Sequence, residues 1–349
     1  MAEILGLGTT DYPRLRAADG FMTAPFKGTL NSGYRSENAQ DPKNWPEPMQ
    51  KEWSDDEGLA VGKRKREHAA AQFQILEAAL DEFHPDLILI WAKDYRESLK
   101  TLALPQWWIQ ANQEFQVKLY TPFGSGESYF GPGLADQIVT VPGHQSAGLH
   151  LVQGLQNEGF DTTYSLESNH PNGLAHTHAG VVTHLNWHKR EFTTPILPVS
   201  VDMFGFMRER TAGGLSAWDK TMPGPISPQR AFDLGRATAR VFKSSPWRVA
   251  LVAGTSWSHT NNTDRSKEWV HPDHTADLER YQQWENNKFS DWGSNWTFDQ
   301  MEEHGQWEHL CWIMLAGAMT EIGAKVVHSD IEFNYVYNDN WVNTVFSAG

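Results

Sequence analysis

The 349-residue chain contains a single cysteine, Cys311, and no long hydrophobic run. One cysteine excludes a disulfide framework and is typical of proteins from a reducing compartment. No apolar stretch approaches the ~18 residues that a transmembrane helix requires, and residues 1–20 lack the pattern of a signal peptide. We therefore expect a soluble, cytoplasmic protein that does not act at a membrane.

Positive charge is also scarce, because 29 lysines and arginines stand against 43 aspartates and glutamates, a net charge of −14. Binding to nucleic acid depends on clustered basic side chains, so nucleic acid is not an expected partner. Several common motifs are missing: GxGxxG after a strand, GxxxxGK[ST], GxSxG and HExxH. These absences argue against the usual dinucleotide-binding, P-loop, α/β-hydrolase and zinc-protease interpretations.

Tryptophan, in contrast, is abundant, with 16 residues in the chain. Large aromatic side chains serve either to fill a core or to line a pocket for a flat apolar ligand. Composition does not choose between these two uses. If a pocket exists, Trp257 is expected to line it.

Continuous apolar strands alternate with helices along the chain. "LGLG" near the start, "LILIW", "PILPVSV" and "WRVALVAG" predict buried strands, and helices are predicted over 68–83, 146–157 and 301–322 and in "SPQRAFDLGRATARVFKSS". Strands that are apolar along their whole length are covered on both faces. The sequence therefore predicts one α/β domain over 1–349, with a central, mostly parallel or mixed sheet between helices.

Residues 20–62 interrupt this alternation. Their centre, "DPKNWPEPMQKEWSDDEG", combines prolines, tryptophans and acidic residues. This composition indicates an ordered but irregular insertion rather than a flexible linker. We expect it to serve as a lid over a site or as an oligomer contact.

Polar side chains follow the predicted strands at their carboxyl ends, where open α/β sheets bind ligands. Asp11 follows the first strand in "GLGTTDYP", and Lys93 and Tyr95 follow the second in "IWAKDYRES". Alone, each would be a cap or turn residue. If Lys93 turns inward, it supplies a positive charge to this edge of the sheet without any metal.

Four further residues have side chains that are suited to catalysis or to metal binding. Glu308 lies in a tryptophan-rich predicted helix, where a carboxylate is costly to bury unless it is paired or binds a metal. His259 ends a strand in "GTSWSH" and suits acid–base work near neutral pH. His176 and His178 alternate in "AHTHAG", so in an extended segment both would face one site. Each also has an ordinary interpretation, as a solvent-facing glutamate, a capping histidine or a polar loop.

In chain order, the sequence resembles the class III extradiol ring-cleaving dioxygenases. The resemblance is carried by "GLGTTDYP", "PDLILIWAKD", "PGHQSAGLHLVQGL", "HTHAG", "PILPVSV", "SWSH" and "GQWEHLCWIMLAGAM". It implies an α/β fold, a catecholic substrate, and Fe(II) held by two histidines and one carboxylate. It also implies an oligomer, either of identical chains or with a different partner chain.

By this resemblance, the carboxylate ligand maps onto Glu308, the acid–base histidine onto His259 and a substrate-pocket histidine onto His176. The two histidine ligands would fall on Asp11 and Tyr95, so the metal set consists of oxygen donors only. Oxygen donors shift metal preference away from Fe(II) towards Mg, Mn, Ca or ferric iron. The implied cofactor is Fe(II), with another divalent metal or no metal as alternatives.

Three functions follow as alternatives. The first is a ring-cleaving dioxygenase-like enzyme that acts on a phenolic or catecholic molecule with an altered metal site, in which His176 or His178 replaces a lost ligand. The second is an enzyme for non-oxidative carbon–carbon cleavage, hydrolysis, decarboxylation or tautomerisation, in which His259 transfers protons with Asp11 or Glu308 as its partner. The third is a non-catalytic partner subunit of a heteromeric dioxygenase.

The first two alternatives require an aromatic small-molecule substrate. The catalytic residues expected for them are Asp11, His176 and His259. The residues expected to bind the substrate are Lys93, Tyr95, His178 and Trp257.

Overall fold

The computed structural model describes residues 2–349 except 32, 34, 101, 125, 208, 209, 212, 213, 216 and 217. Its strands are β1 (Ile4–Thr9), β2 (Leu87–Lys93), β3 (Trp107–Gln110), β4 (Glu114–Val117), β5 (Val139–Pro142), β6 (Thr163–Ser165), β7 (Ile196–Val201), β8 (Arg210–Thr211), β9 (Gly214–Leu215), β10 (Val249–Gly254), β11 (Val326–Glu332) and β12 (Trp341–Phe346). Its helices are α1 (Ala24–Asn31), α2 (Glu37–Gln40), α3 (Glu47–Trp53), α4 (Leu59–Phe83), α5 (Gln145–Asn157), α6 (His176–His184), α7 (Pro228–Lys243), α8 (His274–Glu285), α9 (Trp292–Asn295), α10 (Phe298–His304) and α11 (His309–Ile322). In these ranges, no helix has the length and apolar character needed to cross a membrane.

Eight strands form one sheet in the order β11-β12-β1-β10-β2-β7-β3-β6. The four central strands β1, β10, β2 and β7 are parallel to one another. β12 is antiparallel to β1, and β3 is antiparallel to β7, so the sheet is mixed. The predicted α/β class is confirmed.

Strand β2 explains why the central strands are apolar throughout. Leu89 and Trp91 pack into a core cluster with α7 and α11, on one face of the sheet. Ile88 and Ile90 pack into a second cluster with α4 and α6, on the other face. Successive side chains of a strand point to opposite faces, so a strand that is covered on both sides needs an apolar residue at every position.

Helices α7 and α11 approach each other closely through two glycines. A Cβ atom on Gly235 of α7 would lie 1.8 Å from the carbonyl oxygen of Met314. A Cβ atom on Gly317 of α11 would lie 2.1 Å from the carbonyl oxygen of Phe232. Because both carbonyl oxygens belong to the backbone, neither glycine can be replaced by a residue with a Cβ atom unless the helices separate.

We therefore expect Gly235→Ala to lower the free energy of unfolding by about 1–3 kcal/mol, since overpacking outweighs the better helix propensity of alanine. Urea denaturation followed by circular dichroism measures this loss. Gly28 of α1 is the matched control, because a Cβ atom there meets nothing within 4 Å. Gly28→Ala should raise the same quantity by up to about 1 kcal/mol. Equal effects of the two substitutions would show that the close helix contact does not limit stability.

Most of the buried tryptophans fill the core. Trp257 has no exposed surface, and its ring packs on Trp312 at 5.6 Å and on Tyr281 at 6.2 Å between centroids. The expectation that Trp257 lines a substrate pocket does not fit this placement. Strand β10 ends three residues earlier, and the chain there turns into the core instead of towards solvent.

The single helix predicted over 301–322 is two helices, α10 and α11. Gly305 separates them with a left-handed φ of 65°, and a Cβ atom there would lie 2.7 Å from the carbonyl oxygen of His259. Glycine adopts this conformation without steric strain. Glu308 therefore immediately precedes α11 instead of lying inside a long helix.

Residues 20–62 were predicted to be irregular. They instead contain α1, α2, α3 and the start of α4. Phe26 and Trp45 of this segment are buried in the second core cluster. Arg35 donates hydrogen bonds to the carbonyl oxygen of Ser266 at 2.8 Å and to Asn261 Oδ1 at 3.1 Å. The segment thus packs beside the loop that follows β10. Its roles as a lid or an oligomer contact stay predictions.

Candidate functional site

A buried lysine joins two carboxylates at the carboxyl edge of the sheet. Lys93 ends β2, and the alternation of that strand turns its side chain to the face covered by α11. Its Nζ lies 3.0 Å from Asp11 Oδ2 and donates a hydrogen bond to Glu308 Oε1. The exposed fractions of the three side chains are 3% for Lys93 and 0% for both Asp11 and Glu308.

The loop after β10 holds both carboxylates from the backbone. The amide of Ser256 donates to Asp11 Oδ1 at 3.0 Å and to Glu308 Oε2 at 3.1 Å. The Ser256 hydroxyl lies 2.8 Å from Thr10 Oγ1, which ties this loop to the end of β1. Because β10 lies between β1 and β2, its carboxyl end is the point at which side chains from both neighbours meet.

Tyr95 and Asn262 complete the surroundings of Glu308. The Tyr95 hydroxyl donates to Glu308 Oε1 at 2.9 Å, and Asn262 Nδ2 donates to the same oxygen at 3.1 Å. Asn262 Nδ2 also lies 3.0 Å from the Tyr95 hydroxyl oxygen. Asp11, Tyr95 and Glu308 were expected to share one site, and the structure brings them together. Asn262 was not predicted, although the polar run "HTNNT" after the strand is a signal for it.

The charges of this cluster are unequal, since two carboxylates share one ammonium. Burial acts to lower the pKa of Lys93, but the carboxylates of Asp11 and Glu308 outweigh it and raise that pKa well above its usual value. Burial acts to raise the pKa of Asp11, and Lys93 reverses this, so the pKa is lowered. For Glu308, burial prevails over Lys93, with Asp11 adding repulsion, and the pKa rises to about 7. Glu308 is therefore the member that changes charge near neutral pH.

Glu97 orients His176 beside this cluster. His176 is the first residue of α6, and its amide donates to Glu97 Oε2 at 3.0 Å while its Nδ1 bonds Glu97 Oε1. His170 Nε2 lies 3.3 Å from Glu97 Oε2. Burial acts to raise the pKa of Glu97, but these two histidines outweigh it and leave the pKa far below its usual range. Glu97 is thus ionised, and it accepts a hydrogen bond from the Nδ1–H group of His176.

The predicted extended segment at 176–178 is wrong, because both histidines lie in α6. Residues two apart on a helix point in different directions, so His176 and His178 do not face one site. His178 has no exposed surface, and burial lowers its pKa to about 4. A role for His178 in binding a substrate or a metal does not fit this placement.

The hydrogen bonds at Nδ1 distinguish His176 from His259. With its proton on Nδ1, neutral His176 carries a lone pair on Nε2, for which no partner is found among the described residues. In His259, Nδ1 accepts from the amide of Asn261 at 3.1 Å, so the neutral ring carries its proton on Nε2. His176 is therefore suited to accept a proton, and His259 to donate a hydrogen bond.

Half-buried rings lie beside the buried charges. Tyr95, Phe123, His176 and His259 are each partly exposed, in contrast to Asp11 and the other buried charged groups. The His176 ring lies 4.2 Å from Phe123 and 6.2 Å from Tyr95 between centroids. These rings are thus partly accessible to solvent, whereas Asp11, Lys93 and Glu308 are buried.

A second buried histidine on α6 supports the same edge of the sheet. His184 Nδ1 donates to the carbonyl oxygen of Thr10 at 2.9 Å, and its ring stacks on Phe73 at 4.4 Å. Burial lowers the pKa of His184 from 6.5 to about 3. Because the folded protein holds this ring neutral, its contribution to stability is present above pH 6.5 and is lost as the pH falls towards 3.

We expect His184→Asn, which retains a donor near the position of Nδ1, to flatten this acid dependence. Between neutral pH and about pH 4, the wild-type protein should lose about 3 kcal/mol more of its free energy of unfolding than the variant does. Urea titrations at several pH values measure both slopes, whatever the absolute cost of the substitution. Parallel slopes would contradict a buried, neutral His184.

The residues that the resemblance assigns to Fe(II) do not fit a divalent metal in this chain. The Lys93 ammonium already contacts the carboxylates of both Asp11 and Glu308. Iron favours imidazole ligands, whereas the residues at the positions in question, Asp11, Tyr95 and Glu308, offer only oxygen donors. Within the ranges that the structure describes, no group of three His, Cys, Asp or Glu side chains is arranged to hold a metal ion.

Comparison with protein-family models and with curated proteins gives no match for this chain.

Proposed function

We propose that the chain is an enzyme that transfers protons on a phenolic or related cyclic small molecule without using dioxygen. The observation that carries this proposal is the Lys93 ammonium between Asp11 and Glu308. When Glu308, whose pKa is about 7, is protonated, the Lys93 ammonium and the Asp11 carboxylate balance each other, and the preorganised donors of this water-excluded site can stabilise an oxyanion that develops nearby. Decarboxylation, tautomerisation and the hydrolytic or retro-aldol cleavage of a ring carbon–carbon bond all pass through such an anion.

In this proposal, His176 is the general base. Its Nε2 takes a proton from a substrate hydroxyl or ring carbon, and Glu97 stabilises the imidazolium that forms. The same imidazolium then returns the proton to a different atom of the product. A base that is oriented by a carboxylate through its second nitrogen is a recurring arrangement in proton-transfer enzymes.

Tyr95 connects the substrate to the buried charges. Its hydroxyl donates to Glu308, and Lys93 Nζ lies 5.3 Å from its ring centroid. As negative charge develops on a substrate oxygen, the hydroxyl can redirect its hydrogen bond to that oxygen, with the Lys93 charge behind it.

The rings around His176 support an aromatic substrate. The Tyr95 ring stacks with Phe204 at 5.9 Å between centroids and an interplanar angle of 18°. Phe123 packs against His176 at 4.2 Å between centroids. Ring faces of this kind suit a flat ligand, since offset stacking adds to the burial of apolar surface.

Metal analysis and anaerobic turnover test the proposal together. The purified chain is assayed with catechol, protocatechuate and gallate under nitrogen and in air, with product analysis by mass spectrometry. We expect substoichiometric metal and equal turnover in both atmospheres. Stoichiometric iron with oxygen consumption would favour a ring-cleaving dioxygenase instead. Turnover that depends on a second chain would favour the partner-subunit alternative.

A further inference from the structure

We propose that Lys93 is the resident cation of an oxygen-donor cation site, and that its ammonium keeps divalent metals out. Asp11 and Glu308 supply the carboxylates, from the end of β1 and from the residue before α11. In the wild-type chain this position needs no metal. Shortening residue 93 should convert it into a site for Mn²⁺ or Mg²⁺. The inference uses the site of the proposed function but not its reaction, because cation binding is measured without turnover.

The carboxylates of Asp11 and Glu308 converge on one point, which Lys93 Nζ occupies within 3.0 Å of Asp11 Oδ2. The Ser256 amide bonds one oxygen of each carboxylate and so holds their positions independently of Lys93. The pair is therefore preorganised, and a shorter residue 93 would leave a gap lined by carboxylate oxygens.

Asp11 Oδ2 lacks a hydrogen-bond donor. This oxygen is buried and faces the Lys93 ammonium, yet it accepts no hydrogen bond from a described residue. Buried carboxylate oxygens ordinarily have partners, so this atom depends on charge alone. A metal ion, which has no directional hydrogen atoms, would satisfy such an oxygen better than the ammonium does.

Asp11 and Glu308 together carry up to two negative charges against the single charge of Lys93. A divalent ion would neutralise two carboxylates, and Mg²⁺ and Mn²⁺ prefer oxygen donors.

The test compares Lys93→Ala with Lys93→Met, which removes the same charge but fills the space. Each protein is freed of metal with EDTA and titrated with Mn²⁺ alone, with free Mn²⁺ followed by electron paramagnetic resonance. We expect Lys93→Ala to bind one Mn²⁺ per chain roughly tenfold or more tighter than the wild type or Lys93→Met. Adding Glu308→Gln to Lys93→Ala should abolish that binding.

A folding control keeps the outcome decisive. If Lys93→Ala unfolds in EDTA and refolds with Mn²⁺, the inference is supported directly. If it stays unfolded, Lys93→His replaces it, because imidazolium retains the positive charge and neutral imidazole is a metal ligand. Folded variants that bind no more Mn²⁺ than the wild type would overturn the inference. So would a wild-type chain that binds stoichiometric metal and loses it on Glu308→Gln.

Discussion

Lys93→Met should lower the free energy of unfolding by about 3–5 kcal/mol near neutral pH, because it removes the ammonium that contacts the buried carboxylates of Asp11 and Glu308. Methionine has a similar volume, so the loss reports charge rather than a cavity. Asp11 is then left ionised without its partner in a site that excludes water. Urea denaturation at equilibrium, followed by far-ultraviolet circular dichroism, measures the change.

The size of the loss should also depend on pH. Glu308 has a pKa of about 7 in the wild-type protein, and its neutral form costs less to bury. The penalty of Lys93→Met should therefore shrink as the pH falls below neutral and Glu308 takes up a proton. A penalty that is constant with pH would mean that Glu308 carries no charge at neutral pH.

Lys51→Met is the matched control. Lys51 also pairs with a carboxylate, that of Glu47, but the side chains are 73% and 78% exposed. Exposed pairs of this kind contribute little to stability, so we expect a change within about 0.5 kcal/mol. If the two lysine variants were equally stable, burial would not be what makes the Lys93 pair strong.

His176→Asn should lower kcat by about 100- to 10,000-fold on the substrate that the anaerobic assay identifies, with the fold intact. The substitution removes the Nε2 lone pair that takes the substrate proton in the proposed mechanism. Glu97→Gln should also lower kcat, because a neutral amide does not stabilise the His176 imidazolium. Steady-state kinetics over a range of pH checks both, with thermal melts as a measure of folding.

The chain contains a matched pair for this experiment. His188 donates its amide to Glu77 Oε1 at 2.9 Å, and its Nδ1 lies 3.0 Å from Glu77 Oε2. This repeats the bonding of His176 to Glu97 outside the candidate site. His188→Asn should therefore leave kcat unchanged. Equal losses in the two histidine variants would indicate a general effect on folding and would count against His176 as the base.

The strand ends could be located from the sequence because their cause is local. A strand that is covered on both faces must be apolar at every position, so the first polar residues after "LGLG" and "LILIWA" mark its end. Asp11 and Lys93 were recognised in this way as residues at one edge of a sheet. The direction of Lys93 follows from the two-residue period of β2, once the position of α11 is known.

The helix boundaries before Glu308 show where local reasoning failed. Residues 301–322 are apolar enough to be taken for one helix, but the left-handed Gly305 ends α10 against the carbonyl oxygen of His259. The glycine is visible in the sequence, whereas the close approach that demands it is not. The error at His176 and His178 has a related origin, because alternation in a short segment does not distinguish a strand from the start of a helix.

The sequence by itself determined that this is an α/β protein with Asp11, Lys93 and Tyr95 just beyond its strands. Only the tertiary structure decided that the Lys93 ammonium lies between Asp11 and Glu308, which stand 82 and 215 residues away along the chain. Contacts over such separations depend on the order of strands in the sheet and on the packing of α11 over it. Local sequence patterns do not specify the order of strands or the packing of α11. Lys93 was therefore predicted to bind a substrate, whereas in the structure it is the buried cation of the site.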